Sequence, residues 1–323
     1  YGSGQLQLVV HVNHGLGNRL QGLAQAAKAA ESSGRHLRVI WIPDAHLNAS
    51  FTDLFSNPKI DAWDEFHREE FVGNPNYEMI DLLGAENTHR VNKVDTTIDK
   101  HIYVHLAANW FIPVVPFEAQ SEFLRSLNPS PAVQAIMKTA KVKAQDVKKM
   151  VGVHIRHVDP NSEIPGVNVS AYSDEWAKIS RDYRRKSNPN AFLKLLRTSV
   201  DRYPSLQFFV ASDSARALNT LKKSFGGDAN NVNDRIVHLP HLSCRDRSVR
   251  CVQIALAEFL LISHTRAIIG SYESTFTNMA ARYNMVPCFA RDGLPLKMFE
   301  EQFLEAIGDK SKLHPDFKLG WCL

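Results

Sequence analysis

Four short stretches carry the residue types that chemistry needs. In Val153-His154-Ile155-Arg156-His157-Val158-Asp159 an apolar strand ends in a crowd of charge. An unpaired guanidinium is costly to bury, so Arg156 needs an anion, either a carboxylate such as Asp159 or a ligand phosphate held by its two-pronged fork. His154 and Arg156 alternate and so share one face of the strand. In Asn13-His14-Gly15-Leu16-Gly17-Asn18-Arg19, Gly15 and Gly17 let the backbone approach a ligand, and the helix that follows offers unpaired N–H groups. The third glycine and the acidic partner of a dinucleotide fingerprint are missing, since Ile40, Trp41 and Ile42 stand where the carboxylate would be.

The other two stretches are also strand ends. In Phe209-Val210-Ala211-Ser212-Asp213, Asp213 either caps the next helix or accepts two N–H bonds from a guanine edge. In Gly270-Ser271-Tyr272-Glu273-Ser274-Thr275-Phe276-Thr277, the hydroxyls of Ser271, Ser274 and Thr275 gather at a helix start, where capping and phosphate binding can coexist. The long polar loop from Asp159 to Asn188 holds Glu163, Asp174, Glu175 and the basic group Arg181, Arg184, Arg185 and Lys186, which reads as a solvated face.

These stretches need a frame. A strand Leu6–Val12 leads through the glycine turn into a helix Leu16–Ser32, whose Leu16, Leu20, Leu23, Ala24 and Ala27 recur at helical spacing, and Gly34 closes it. Strands Leu37–Ile42 and Ile102–Leu106 follow, and Asp44 to Lys100 gives only weak, turn-rich signals. A lysine-rich connector helix is expected over Ala132–Met150, behind Leu127-Asn128-Pro129-Ser130-Pro131. The second half alternates strands Met150–Ile155, Leu206–Val210, Arg235–Leu239, Ala267–Gly270 and Val286–Ala290 with helices Pro189–Tyr203, Ser214–Phe225, Val249–Ser263 and Ser274–Tyr283. Either Ser214 or Asp213 can cap the second of these helices. Such alternation implies a parallel sheet covered on both faces, with ligands at the carboxyl ends of its strands. The chain of 323 residues therefore divides into two α/β domains, 1–147 and 148–323.

Composition narrows the function. With 44% hydrophobic and 22% charged residues the chain is neither disordered nor low in complexity. A net charge of +4 is too small and scattered to argue for nucleic acid. The 14 histidines show no metal-protease or zinc-finger spacing, which disfavours a metal hydrolase. No apolar run approaches the ~20 residues of a membrane span. The opening Tyr1-Gly2-Ser3-Gly4 reads as a junction, so membrane attachment is expected only through an anchor upstream of it. Cys244 and Cys251 bracket a short basic loop and suit a local disulfide, and Cys288 and Cys322 would then tie the last strand to the C-terminus. With the sequons at Asn48 and Asn168, this points to an oxidising lumen.

Taken together, Gly-Leu-Gly-Asn-Arg-Leu from Gly15, His-Ile-Arg-His-Val-Asp from His154, the stretch ending at Asp213 and the run from Ala257 through Phe276 resemble, in order and spacing, the fucosyltransferase superfamily. The resemblance implies a GT-B fold, with two Rossmann-like domains facing across a cleft, an acceptor-side N-terminal domain and a C-terminal domain binding GDP-fucose. It implies an inverting, metal-independent transfer to a glycan or glycoprotein in the lumen of the secretory pathway, with the Golgi as the expected compartment, and with no cofactor besides the nucleotide sugar. Arg156 would bind the diphosphate, and His154 and Asp213 would approach guanine or ribose. Ser271, Ser274 and Thr275 would line phosphate and sugar, with Gly15, Gly17 and Asn18 closing from the other domain. His157 replaces the second arginine of the family's H-x-R-R signature, and Pro160 the lysine of its α1,6 branch, so α1,6 linkage is not supported. The catalytic base is then expected at Glu163, at Asp159 or at His14, in that order. A transferase using another nucleotide sugar and a non-catalytic sugar-nucleotide binder are the competing readings.

Overall fold

The apolar run before the first glycine turn forms β1 (Gln7–Val12), buried over almost its whole length. The helix after it, α1 (Leu16–Ser32), lays its leucines and alanines on that strand and closes at Gly34, whose φ of +67° is the left-handed conformation that glycine adopts without strain. The structure is a computed structural model. It describes residues 5–82, 94–106, 111–112, 115–140, 142–156, 186–225, 235–240, 244, 246–290, 296–309, 311, 313, 319–320 and 322.

The chain divides into two compact units, Tyr1–Ala132 and Val133–Leu323. The first is built on a parallel sheet of β1, β2 (His36–Ile40), β3 (Asp61–Trp63), β4 (Tyr77–Asp81) and β6 (His101–Leu106) in the order β3-β2-β1-β6-β4. Short β5 (Val94–Asp95) pairs with β7 (Phe111–Ile112). The helices of this unit are α1, α2 (Phe51–Leu54) and α3 (Phe117–Ser126), and α4 (Pro131–Lys138) begins at its boundary. The weak signals over Asp44 to Lys100 thus hide β3, β4 and α2. These elements are short, and their polar residues are used for pairing: Asp61 of β3 accepts from Arg38 Nε (3.0 Å) on β2 and from Trp63 Nε1 (2.7 Å).

The expected connector helix over Ala132–Met150 is broken. After α4, the Thr139 amide and hydroxyl both return to the Ile136 carbonyl, which closes the helix, and α5 is only Ala144–Val147.

The second unit has a parallel sheet of β8 (Val151–Ile155), β9 (Phe208–Ser212), β10 (Ile236–Val237), β11 (Ala267–Gly270) and β12 (Cys288–Ala290) in the order β10-β9-β8-β11-β12. The helices are α6 (Pro189–Arg202), α7 (Ala215–Phe225), α8 (Val249–Ser263), α9 (Thr275–Tyr283) and α10 (Leu296–Gly308). The last of these gave no signal in the sequence. β9 begins two residues later than its apolar run suggests, because the Leu206 amide turns back to the Tyr203 carbonyl. β8 is buried at every position, and Val151, Val153 and Ile155 pack with Phe208, Val210, Phe289 and Phe303 in one core. Both expected disulfides form, Cys244–Cys251 at the start of α8 and Cys288–Cys322 on β12.

Each sheet has one crossing point, where the chain leaves one side and returns on the other: between β8 and β11 in the second unit, and between β1 and β6 in the first. Parallel α/β sheets bind ligands at the carboxyl ends of the strands beside such a point.

Candidate functional site

Arg156 directly follows β8 and Ser271 directly follows β11, so the two lie at the crossing point of the second sheet. Ser271 fastens them together. Its Oγ accepts from the Arg156 backbone N–H (2.7 Å) and donates to the His154 carbonyl (3.1 Å). The half-buried Arg156 is thereby held at the point where β8 ends. Behind it His154 is buried, its ring stacked on Phe276 with centroids 4.7 Å apart and its Nδ1 2.6 Å from Thr277 Oγ1. Burial first, and then the neighbouring Arg156 charge, push this imidazole down to about 3, so it is neutral at physiological pH.

Gly270 makes this contact possible. A Cβ there would sit 2.1 Å from Thr277 Cγ2, so only glycine lets α9 lie so close to β11. Ser274 caps α9, its hydroxyl accepting from the Thr277 N–H at 3.4 Å, while Thr275 is half-buried in the first turn. Glu273, just before this cap, takes φ +51°, a conformation that a residue with a Cβ adopts at a cost. Lys186 stands over the Tyr272 ring at 4.7 Å and brings a second positive charge to the same loop. Asp213 is exposed at the end of β9, and the cap of α7 is Ser214, whose Oγ accepts from the Ala217 N–H at 3.2 Å. Asp159, His157 and Glu163 lie outside the described residues.

The first unit arranges its crossing point differently. The left-handed turn between β1 and α1 falls on His14 (φ +65°), while Gly15 is extended. Gly15 is the N-cap of α1 without a side-chain cap, and no acidic residue occupies the first turn, which contains Gly17 and Asn18. Arg19 holds the turn. Fully buried, it donates from Nε to the His14 carbonyl (2.9 Å) and from Nη1 to the Ile42 carbonyl (2.7 Å), and it pairs with Asp44 at 2.9 Å. The sequence offered one signal for this role: an arginine placed among Leu16, Leu20 and Leu23 on the buried face of α1. The His14 ring meets His46 edge-on at 5.3 Å, and its basicity is lowered by burial and then by His46. At the ends of β1, β6 and β4 stand Asn13, His105 and Asp81, a group that the sequence reading missed because its members come from three separate strands.

Among the described residues, no group of three or more His, Cys, Asp or Glu side chains could hold a metal ion. No helix among them is long and apolar enough to cross a membrane.

No family model matches the chain. In sequence it is similar to Nodulation protein Z of Bradyrhizobium diazoefficiens, 20% identical over 236 residues, which covers 65% of this chain and 60% of that protein, less than two thirds of its length. In structure it is similar to NodZ α-1,6-fucosyltransferase soaked with GDP-fucose, with a TM-score of 0.54 and 15% identity over 87% of this chain and 92% of that one. A mutant of Arabidopsis thaliana FUT1 in complex with GDP gives 0.56 and 15% over 92% and 72%. Apo POFUT1 gives 0.52 and 12% over 90% and 99%. The chain has the GT-B fold of these structures. In that fold the two sheets described above are the two Rossmann-like halves, and the expected fold class holds.

Proposed function

We propose that the chain is a GDP-fucose-dependent fucosyltransferase, inverting and metal-independent, acting on a glycan or glycoprotein in the lumen of the secretory pathway. The observation that carries the reading is Arg156 at the crossing point of the second sheet, its backbone fixed by Ser271 and its charge felt by the buried His154 that meets Thr277 of α9. A diphosphate there would meet the guanidinium fork, the N–H groups of α9 and the Thr275 hydroxyl, which together offset the negative charge that grows on the leaving GDP. Asp213 would accept from the guanine edge or the ribose. His154, Ser271 and Ser274 would hold these groups in place. Gly15, Gly17 and Asn18, at the start of α1 that has no side-chain cap, would offer backbone N–H groups to the sugar donor. The two disulfides support the luminal assignment, and the exposed Asn48 offers its sequon to glycosylation.

Thermal shift with GDP, UDP, ADP and their sugars, followed by GDP release from GDP-fucose, tests the reading. Selective stabilisation by GDP and turnover that survives EDTA are expected. Stabilisation by UDP instead would favour another nucleotide sugar. GDP binding without any turnover would favour a non-catalytic binder, and loss of turnover in EDTA restored by Mg²⁺ would contradict metal independence.

A further inference from the structure

A contact between a cation and an aromatic face spans the carboxyl end of the second sheet. Lys186 Nζ stands 4.7 Å from the centre of the Tyr272 ring. The two residues reach this point from different elements. Tyr272 directly follows Ser271 on the way into α9 and is half-buried. Lys186 is exposed and lies just before α6, where its backbone is placed by its neighbours: Ser187 is buried, and Asn188 caps α6 by accepting from the Asn190 N–H at 3.0 Å.

The two faces of β8 define what this contact bridges. Val151, Val153 and Ile155 pack with Phe192, Leu195 and Leu196 of α6, whereas His154 turns to Phe276 and Thr277 of α9. The two helices therefore cover opposite faces of the sheet. Lys186 on Tyr272 joins their entrances across the crossing point, where Ser271 holds the Arg156 backbone. Ligands of parallel α/β sheets sit in this crevice. Buried His154 is neutral and adds no charge there at physiological pH. Arg156 and Lys186 supply cations of two kinds: a rigid planar fork on a fixed backbone, and a compact ammonium on a flexible stem. The Tyr272 ring attracts the ammonium through its quadrupole and leaves the positive charge in place, so the ring face can be exchanged for a stronger, anionic partner.

Resting on the transferase reading, we infer that Lys186 is a diphosphate-binding residue of the donor site, beside Arg156, and that Tyr272 is its positioning residue. The ring keeps the ammonium at the crossing point. When a nucleoside diphosphate or its sugar ester binds, the lysine stem carries the ammonium to a non-bridging phosphate oxygen, while the Arg156 fork takes others. All the residues involved belong to the second unit.

Calorimetric titration of GDP into the full chain, at about 0.05 M and about 0.5 M salt, separates charge from shape. Lys186→Gln, a change at an exposed side chain, should weaken GDP binding about tenfold at the lower salt, the worth of one hydrogen bond to a charged group. At the higher salt the loss should shrink to about threefold or less, because a mobile, exposed charge is screened. Lys186→Arg keeps the charge and should stay within about threefold of the wild type. Tyr272→Leu should weaken binding about threefold, and Tyr272→Phe, which retains the ring face, should restore it to within about twofold. GDP affinity of Lys186→Gln within about twofold of the wild type at the lower salt, or a loss equal at both salts, overturns the inference. Tyr272→Phe as weak as Tyr272→Leu overturns the positioning role. A wild-type chain that binds no GDP overturns the transferase reading first, and the two failures are thereby distinguished.

Discussion

The two crossing points solve opposite problems with the same topology. At the end of β8 the polar side chains are committed to each other and to the backbone: Ser271 to Arg156 and His154, Thr277 to His154, Ser274 to its own helix. What remains for a ligand is charge and N–H groups on a rigid frame, suited to an anion. At the ends of β1, β6 and β4 the side chains are two packed imidazoles with an amide and a carboxylate at the ring nitrogens of one of them, suited to hydroxyls and protons. The units also differ in how they are held. All four cysteines belong to the second, while the first relies on Arg19 and an aromatic cluster of Phe66, Phe71 and Tyr103. Both place one residue at positive φ in the turn after a crossing-point strand, His14 after β1 and Glu273 after β11. Strain of this kind persists where the surroundings over-determine it, and functional turns are where it gathers.

The largest effect should come from the charge at β8. Arg156→Ala should slow GDP release from GDP-fucose by ~10²–10³, about 3–4 kcal/mol, because growing charge on the leaving group goes unanswered. Arg156→Lys should recover little, since an ammonium lacks the fork. Steady-state kinetics at saturating GDP-fucose checks both.

Next come the staples of the second unit. Cys288–Cys322 closes a span of 34 residues and Cys244–Cys251 one of 7. In the chain-entropy model the longer loop contributes about 4 kcal/mol and the shorter about 2. Paired serine replacements should therefore lower the denaturant midpoint of the second unit in that order. The first unit, which has no cysteine, should be unaffected, and hydrogen exchange resolved by peptide would separate the two.

Acid should weaken both units alike. Each contains a buried imidazole, His11 or His154, whose value falls from 6.5 to about 3 on folding. Stability from keeping it neutral is complete above pH 6.5 and is lost as pH falls toward 3, at about 1.4 kcal/mol per pH unit for each group. Urea midpoints measured from pH 7 downward should show that slope, and His154→Gln should flatten it in the second unit alone.

The smallest effect concerns the strained turn. Glu273→Gly should relieve the backbone and stabilise the second unit by up to ~1 kcal/mol. If that residue's conformation matters for the phosphate cradle, GDP affinity should fall although stability rises, which is read by comparing melting temperature with calorimetry.

Much of this was legible in the sequence where local pattern decides structure. The glycine turn into α1, the β8 strand ending in Arg156, the hydroxyl-rich start of α9 and both disulfides follow from residues close in the chain or few in number. The N-terminal cluster of Asn13, Asp81 and His105 was not legible, because its members become neighbours only through the register of β4, β6 and β1. The polarity of β3 was misleading for the same reason: Asp61 reads as a turn residue until Arg38 is seen beside it. The left-handed position in the first turn falls on His14 rather than on a glycine, and the Arg19 bond to its carbonyl, a contact between residues five apart, holds that backbone.

Calorimetric titration of GDP into the wild-type chain, Arg156→Ala and His105→Gln tests the division of labour most directly. The account predicts one site per wild-type chain, binding weakened at least about tenfold by Arg156→Ala, roughly 1.4 kcal/mol, and affinity unchanged by His105→Gln. Equal GDP affinity in the wild type and Arg156→Ala, or no binding at all, would contradict it.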